Sequence, residues 1–184
     1  MWICTTGKDI SMSTDQDRHG GDRLDPDKLH DLWRRLEKLR FAMLTSLDGS
    51  GQMVSRPITT QRAEDHGTVW FFVAAHGGFA EDLAVDARVV LNYADPSDSF
   101  YAALRGHGRI VDDPAKVAAL WNVMAQAWFP GGPDDPHLAL LRVDVEHGEY
   151  WDAAGRVVPF FSMLKAAMTH TTPKHPGEHK TFRS

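Results

Sequence analysis

The 184-residue sequence predicts a mainly β fold of the α+β kind: an antiparallel barrel with peripheral helices. Three observations predict it. Short segments dense in Val, Ile, Thr, Phe and Tyr recur at close spacing, as strands of a barrel do. The turn DGSG at 48–51 joins two of them as a hairpin. Helical periodicity, with apolar residues three and four apart, is limited to a few stretches between the strand runs.

The first helix begins where Asp25 can cap and Pro26 suits the first helical position. Leu29, Leu32, Trp33, Leu36 and Leu39 then form one apolar stripe. Strands follow at 41–47 and 52–60. Pro57 has no N–H for a ladder, so its strand is bulged or lies at an edge there. A β-rich run at 68–75 leads to a short helix with Phe79, Ala80, Leu83 and Ala84 on one face. Strands at 89–94 and 100–111 come next, with Gly106 and Gly108 marking a bulge or barrel bend. One helix is expected from Pro114 to Trp128, capped by Asp113 and striped by Val117, Leu120, Trp121, Met124 and Trp128. The loop FPGGPDDP at 129–136 separates it from strands at 138–147 and 148–153. A turn at Ala154-Gly155, the segment RVVPF and a final helix from Phe160 to about Met168 complete the domain. The expected organisation is a flexible leader at 1–23, one domain at 24–170 and a flexible tail at 171–184.

Composition narrows the function. Hydrophobic residues make up 42% and charged residues 24%, as in globular domains. Twenty basic against 25 acidic residues leave a net charge of −5, without the basic surplus of a nucleic-acid binder. No apolar run reaches the ~18 residues that a membrane span needs. The single cysteine, Cys4, cannot form an internal disulfide and fits a reducing cytoplasm.

Most motifs read as structure. Gly106-x-Gly108 lacks the third glycine and the following helix of a dinucleotide fingerprint. His175 and His179 have helical ligand spacing, but Pro176 and Gly177 break any helix between them. His137 and His147 lack the context of a metal motif, so no metal site is expected. The pairs Asp112-Asp113 and Asp134-Asp135 abut Pro114 and Pro136, where Asp serves as a cap or turn former. No serine sits in a nucleophile elbow, Cys4 has no partners, and no catalytic residue is assigned. Two features stay open on residue chemistry. The aromatics Trp121, Trp128, Phe129, Tyr150 and Trp151 suit a core, a planar ligand or a dimer interface. Arg56, beside Pro57, is either a surface arginine or a hook for an anion.

The stretch WNVMAQAWFPGGPDDPHLALLRVDVEHGEYWDA at 121–153, with AMLTSLDGSGQMVSRPI at 42–58 and GTVWFFV at 67–73, resembles one known family. It is the general stress protein branch of the pyridoxamine 5'-phosphate oxidase-like, FMN-binding split-barrel superfamily. The resemblance covers roughly residues 25 to 165. It implies a six-stranded antiparallel split β-barrel with helices at its ends. It also implies a homodimer with FMN sites across the interface, and oxidoreductase chemistry on a small-molecule ligand. Arg56 and Pro57 occupy the family's RPM position, with Ile58 in place of Met, and the arginine is expected to hold the phosphate side. Ser55 to Ile58 and the Val73-Ala74 edge are expected beside the ring or ribityl chain, with Trp121 and Trp128 as aromatic wall. Two positions depart from the family: Val73 replaces a threonine, and Phe79 replaces a lysine that meets the phosphate. Backbone N–H groups at Gly77 and Gly78 are expected to compensate. The departures leave two functions open, an FMN-dependent oxidoreductase or a non-enzymatic ligand-binding module with a degenerate phosphate site. Haem, which needs an axial ligand such as histidine, is a third, but no histidine has a supporting pattern.

Overall fold

Helix α1 (Pro26–Leu39) buries Leu32, Trp33 and Leu36, the stripe its spacing predicts. The structure, a computed structural model, describes residues 26–152 and 178–183. Strands β1 (Phe41–Leu47) and β2 (Met53–Glu64) follow as an antiparallel hairpin. Its turn is held by the Asp48 carboxylate, which accepts the N–H groups of Ser50 and Gln52, each at 2.9 Å. Next come β3 (Thr68–Ala74), α2 (Phe79–Val85), β4 (Arg88–Asp95) and β5 (Phe100–Val111). Helices α3 (Pro114–Leu120) and α4 (Val123–Trp128) precede β6 (Leu138–Asp152), and β7 (Glu178–Arg183) ends the described chain.

The sheet order is β3-β2-β1-β4-β5-β6-β7, and β3 also pairs with β6. Strands β1 to β6 therefore close into a six-stranded antiparallel barrel. Closure explains why β3 is apolar on both faces. Val69 and Phe71 point into the barrel core, while Trp70 and Phe72 belong to a second cluster with Val117 and Leu120 of α3 and Ala125 of α4. A strand buried on both sides reads as a continuous hydrophobic run, as TVWFFVA does.

Several sequence expectations need correction. The single helix expected over 114–128 is two, because Trp121 and Asn122 are extended between them. Asn122 caps α4, its side chain accepting the N–H groups of Met124 and Ala125 at 3.0 and 3.1 Å. Such local bonding competes with helix continuation, although the apolar stripe runs on past it. The two strands expected over 138–153 are one, bulged against β5 between Arg105 and Gly106. The tail expected to be unstructured from Thr171 contains β7. On one edge of β6, β3 takes residues 138–144, and β7 pairs with the remainder, 147–152. The backbone groups left open by β3 thus find partners. The leader, the turn at Ala154-Gly155 and the last expected helix lie outside the described residues.

Candidate functional site

The site arises where two neighbouring strands part. β2 pairs with β3 only from Thr60 to Glu64, with a register shift between Thr60 and Arg62. Its earlier part, Met53 to Thr59, pairs with β1 alone. Beyond Phe71, β3 pairs with β6 alone. The edge carrying Arg56, Pro57 and Ile58 therefore faces the edge carrying Phe72, Val73 and Ala74 across a gap. Pro57 sits on that unpaired edge, as its missing N–H requires. Helix α4 and the loop over 129–137 border the gap, leaving a cavity of about 630 Å³.

Arg56, Pro57, Ile58, Val73, Ala74, Phe79 and Trp128 all line this cavity. Three other expected residues do not. Ser55 is exposed and shares a 2.7 Å hydrogen bond with Thr45. Gly78 precedes α2 at φ 84 while its neighbour Gly77 lines the wall. Trp121 packs against Phe72 with ring centroids 5.7 Å apart, and its Nε1 donates to Gln126. Its role is to support the wall from behind. Trp128 is 76% exposed at the rim.

The charge pattern is simple. The lining's ionisable side chains are Arg56, His76, Asp135 and His137. Arg56 places its guanidinium carbon 4.1 Å from the centre of the Phe79 ring. Its Nε is buried and has no hydrogen-bond partner. A buried donor on a cation is costly when unmet, so it is suited to an incoming anion. Asp135 accepts the His137 and Gly131 N–H groups, each at 2.9 Å. Those bonds, the one from His137 first, hold its carboxyl below the ordinary aspartate range. It shapes the loop rather than facing the cavity as a free acid. The rest is mostly apolar or aromatic, including Ile58, Phe72, Val73 and Phe129. No serine or cysteine is among the described lining residues. The arrangement can hold a flat apolar body with an anionic end, and it contains no nucleophile–base pair.

Sequence reasoning missed His76 and passed over His137 and Asp135. His76 ends the β3 exit and His137 the approach to β6, and only the β3–β6 pairing brings them together. The rings stand edge to face with centroids 5.8 Å apart. No local spacing signals such a pair. A larger depression of about 820 Å³ lies over β1, β4, β5 and β6 and contains none of the expected residues. Two of its basic groups are engaged, Arg88 with Asp86 and His107 with Glu146, each at 2.9 Å. No helix among the described residues is long and apolar enough to cross a membrane, and no cluster of metal-ligating side chains occurs among them.

Comparison with known proteins agrees with this architecture. A general stress FMN/FAD binding protein from Xanthomonas citri is 32% identical and superposes with a TM-score of 0.64, over 73% of this chain and 95% of that one. A general stress family protein from Xanthomonas campestris pv. campestris is 36% identical with a TM-score of 0.62, over 74% and 94%. The protein bli-3 of Neurospora crassa is 26% identical over 133 residues, 67% of this chain. The match spans 64% of bli-3, less than two thirds of its length. The pyridoxamine 5'-phosphate oxidase-like family model matches residues 27–174. With most of its length matched, this chain belongs to the pyridoxamine 5'-phosphate oxidase-like family.

Proposed function

We propose that this chain is an FMN-binding flavoprotein that acts as an oxidoreductase on a small molecule. The observation that carries this reading is the unpartnered, buried Nε of Arg56 at the edge of a largely apolar cavity. A flavin mononucleotide joins a flat ring system with apolar faces to a phosphate, and the residues present fit the ring faces and the phosphate. Arg56 would take the phosphate side through charge-assisted hydrogen bonds. Ile58, Phe72 and Val73 would exclude water from one face of the ring, and Trp128 would close the rim. When bound, the flavin itself supplies the electron and hydride chemistry. The chain's own work is binding, orientation and exclusion of water. The flavin binding named for the Xanthomonas citri relative supports the same ligand here.

The reading includes a homodimer with a cavity at each interface, in the cytoplasm. Phe41 at the cavity wall is 60% exposed, and Met53, at the far end of the β2 stretch that pairs with β1 alone, is 81% exposed. Large exposed apolar side chains on these two adjacent strands favour cover by a second copy. A monomeric mass by sedimentation would overturn that part.

The test is a fluorescence titration of unliganded protein with FMN, checked by an absorption spectrum of the protein as isolated. Saturable binding near one flavin per chain is expected, and absence of binding would overturn the reading. Turnover of NADH or NADPH with an electron acceptor then separates an enzyme from a non-enzymatic binding module. The module has one observation in its favour: the phosphate end presents the Phe79 ring where a lysine is expected from the family.

A further inference from the structure

His76 and His137 are the remaining side chains in the cavity able to become cationic, and the chain holds them in fixed relation. Ala75 donates its N–H to the His137 carbonyl at 2.8 Å, which ties the β3 exit to the β6 approach. Asp135 holds the His137 N–H from the other side. The two rings stand 5.8 Å apart, and both are exposed at the cavity. Neither imidazole is hydrogen-bonded among the described residues, so their nitrogens are available to a ligand.

The charge balance gives them a task. A phosphate monoester carries close to two negative charges and three strong acceptor oxygens. Arg56 supplies one permanent positive charge, and Phe79 supplies none. The other groups facing the cavity add nothing cationic: α4 contributes Met124, Ala125 and Trp128, and the 129–137 loop contributes Asp135, whose carboxylate is committed to backbone N–H groups. Histidine is the side chain that gains charge in the physiological range. Two protonated rings so close repel each other, and a dianion between or beside them removes that repulsion.

We propose that His76 and His137 form a proton-dependent second phosphate contact, completing with Arg56 the anion site of this cavity. Resting on the flavin reading above, it names the pH regulation of that same site. Measured against the chain without the two rings, a phosphate-bearing flavin is held more tightly at acid pH, and a flavin lacking phosphate is not.

The test measures dissociation constants of FMN and riboflavin by fluorescence, for the wild type and for the double variant His76→Gln, His137→Gln, between about pH 5 and about pH 8. The phosphate has its own proton to lose near pH ~6. Comparing the two proteins with the same ligand at the same pH cancels that effect. The wild type is expected to bind FMN about tenfold more tightly than the variant at the acid end, the worth of one charged hydrogen bond. The ratio should close towards one at the alkaline end, and riboflavin should not distinguish the proteins at any pH. A ratio for FMN that stays constant with pH overturns the proposal while leaving the flavin reading intact. Failure of the wild type to bind either flavin at any pH overturns both. The single variant His76→Gln, on an exposed loop, guards against a folding defect and should show part of the same pH-dependent loss.

Discussion

The Arg56 guanidinium rests on the face of the Phe79 ring, 4.1 Å from its centre, and no carboxylate is bonded to it among the described residues. A cation held by an aromatic face keeps its hydrogen-bond donors free, whereas one in an ion pair does not. Arg56→Gln is therefore expected to weaken FMN binding by roughly tenfold to a hundredfold, the equivalent of ~1.5–3 kcal/mol. Stability should change by less than ~1 kcal/mol, since only the stacking contact is lost. Paired flavin titrations and urea unfolding curves check this. Unchanged affinity would remove Arg56 from the site.

Phe79 has a second attachment that its sequence position does not announce. It is 7% exposed and packs in the barrel core with Leu83. Phe79→Ala should lower stability by about 3 kcal/mol through the cavity it leaves. Phe79→Lys, which restores the residue type expected from the family, should also destabilise, because it places an ammonium in that core beside Arg56. Thermal unfolding of the two variants is the check, and a lysine variant as stable as wild type would show that the side chain reaches solvent.

Gly106 and Gly108 share one strand but carry different constraints. A Cβ on Gly106 would lie 2.0 Å from the Asp144 carbonyl oxygen, where the β5–β6 register shifts. Backbone cannot yield there without breaking the ladder, so Gly106→Ala should cost more than ~2 kcal/mol. A Cβ on Gly108 would meet the side chains of Leu83 and Val89 at 3.3 Å and of Leu141 at 3.4 Å. Those ends can shift slightly, and Gly108→Ala should cost about 1 kcal/mol or less. Urea midpoints of the two variants decide; equal losses would contradict the distinction.

The strands at 41–47 and 100–111 were legible residue for residue because turn formers bound their alternating β-rich runs. Arg56 was legible because Pro57 beside it marks a place where a ladder must stop. The break between α3 and α4 was not, because Val117, Leu120, Trp121, Met124 and Trp128 keep helical spacing across it. Only the capping chemistry of Asn122 betrays it. β7 was hidden because its pairing answers a backbone need of β6 and no hydrophobic pattern of its own. The His76–His137 pair was hidden because the contact is made by strand pairing between segments remote in sequence.

Asn122 ties the broken helix to the cavity. Besides capping α4, its Nδ2 donates to Gln61 Oε1 at 2.7 Å, and Gln61 lines the cavity on β2. Asn122→Ala removes the cap, the bond to Gln61 and a 3.1 Å bond from Nδ2 to the Leu120 carbonyl, and a loss of ~1–2 kcal/mol is expected from the cap. Flavin affinity should fall as well, because α4 carries Met124 and Trp128 on the opposite wall. Asn122→Asp keeps the cap and loses the donor, so it should retain most of the stability. If both variants lose stability equally, the Nδ2 bonds to Gln61 and Leu120 outweigh the cap.

Asp135 gives the acid side of the stability profile a specific sign. Its carboxyl lies below the ordinary value of 3.8 because the His137 and Gly131 N–H groups bond the charged form, and the positive side of His137 adds to this. The folded state therefore binds this proton less readily than the unfolded chain does. The stabilising contribution is complete above pH 3.8 and is lost as pH falls through the lower folded-state value. Asp48, Asp86 and Asp95 are shifted the same way, Asp86 to about 2 through its bonds to Arg88, so the wild-type profile sums several carboxylates. Subtracting the profile of Asp135→Asn isolates this one. Asparagine keeps one acceptor but turns an N–H group toward one of the two backbone donors. The variant should be less stable than wild type at neutral pH, and the gap should narrow as pH drops below 3.8. Denaturant unfolding at a series of acid pH values measures it. A gap that stays constant through that range would mean that the loop does not depend on the charge of Asp135 and that His137 is positioned by its bond to Ala75 alone.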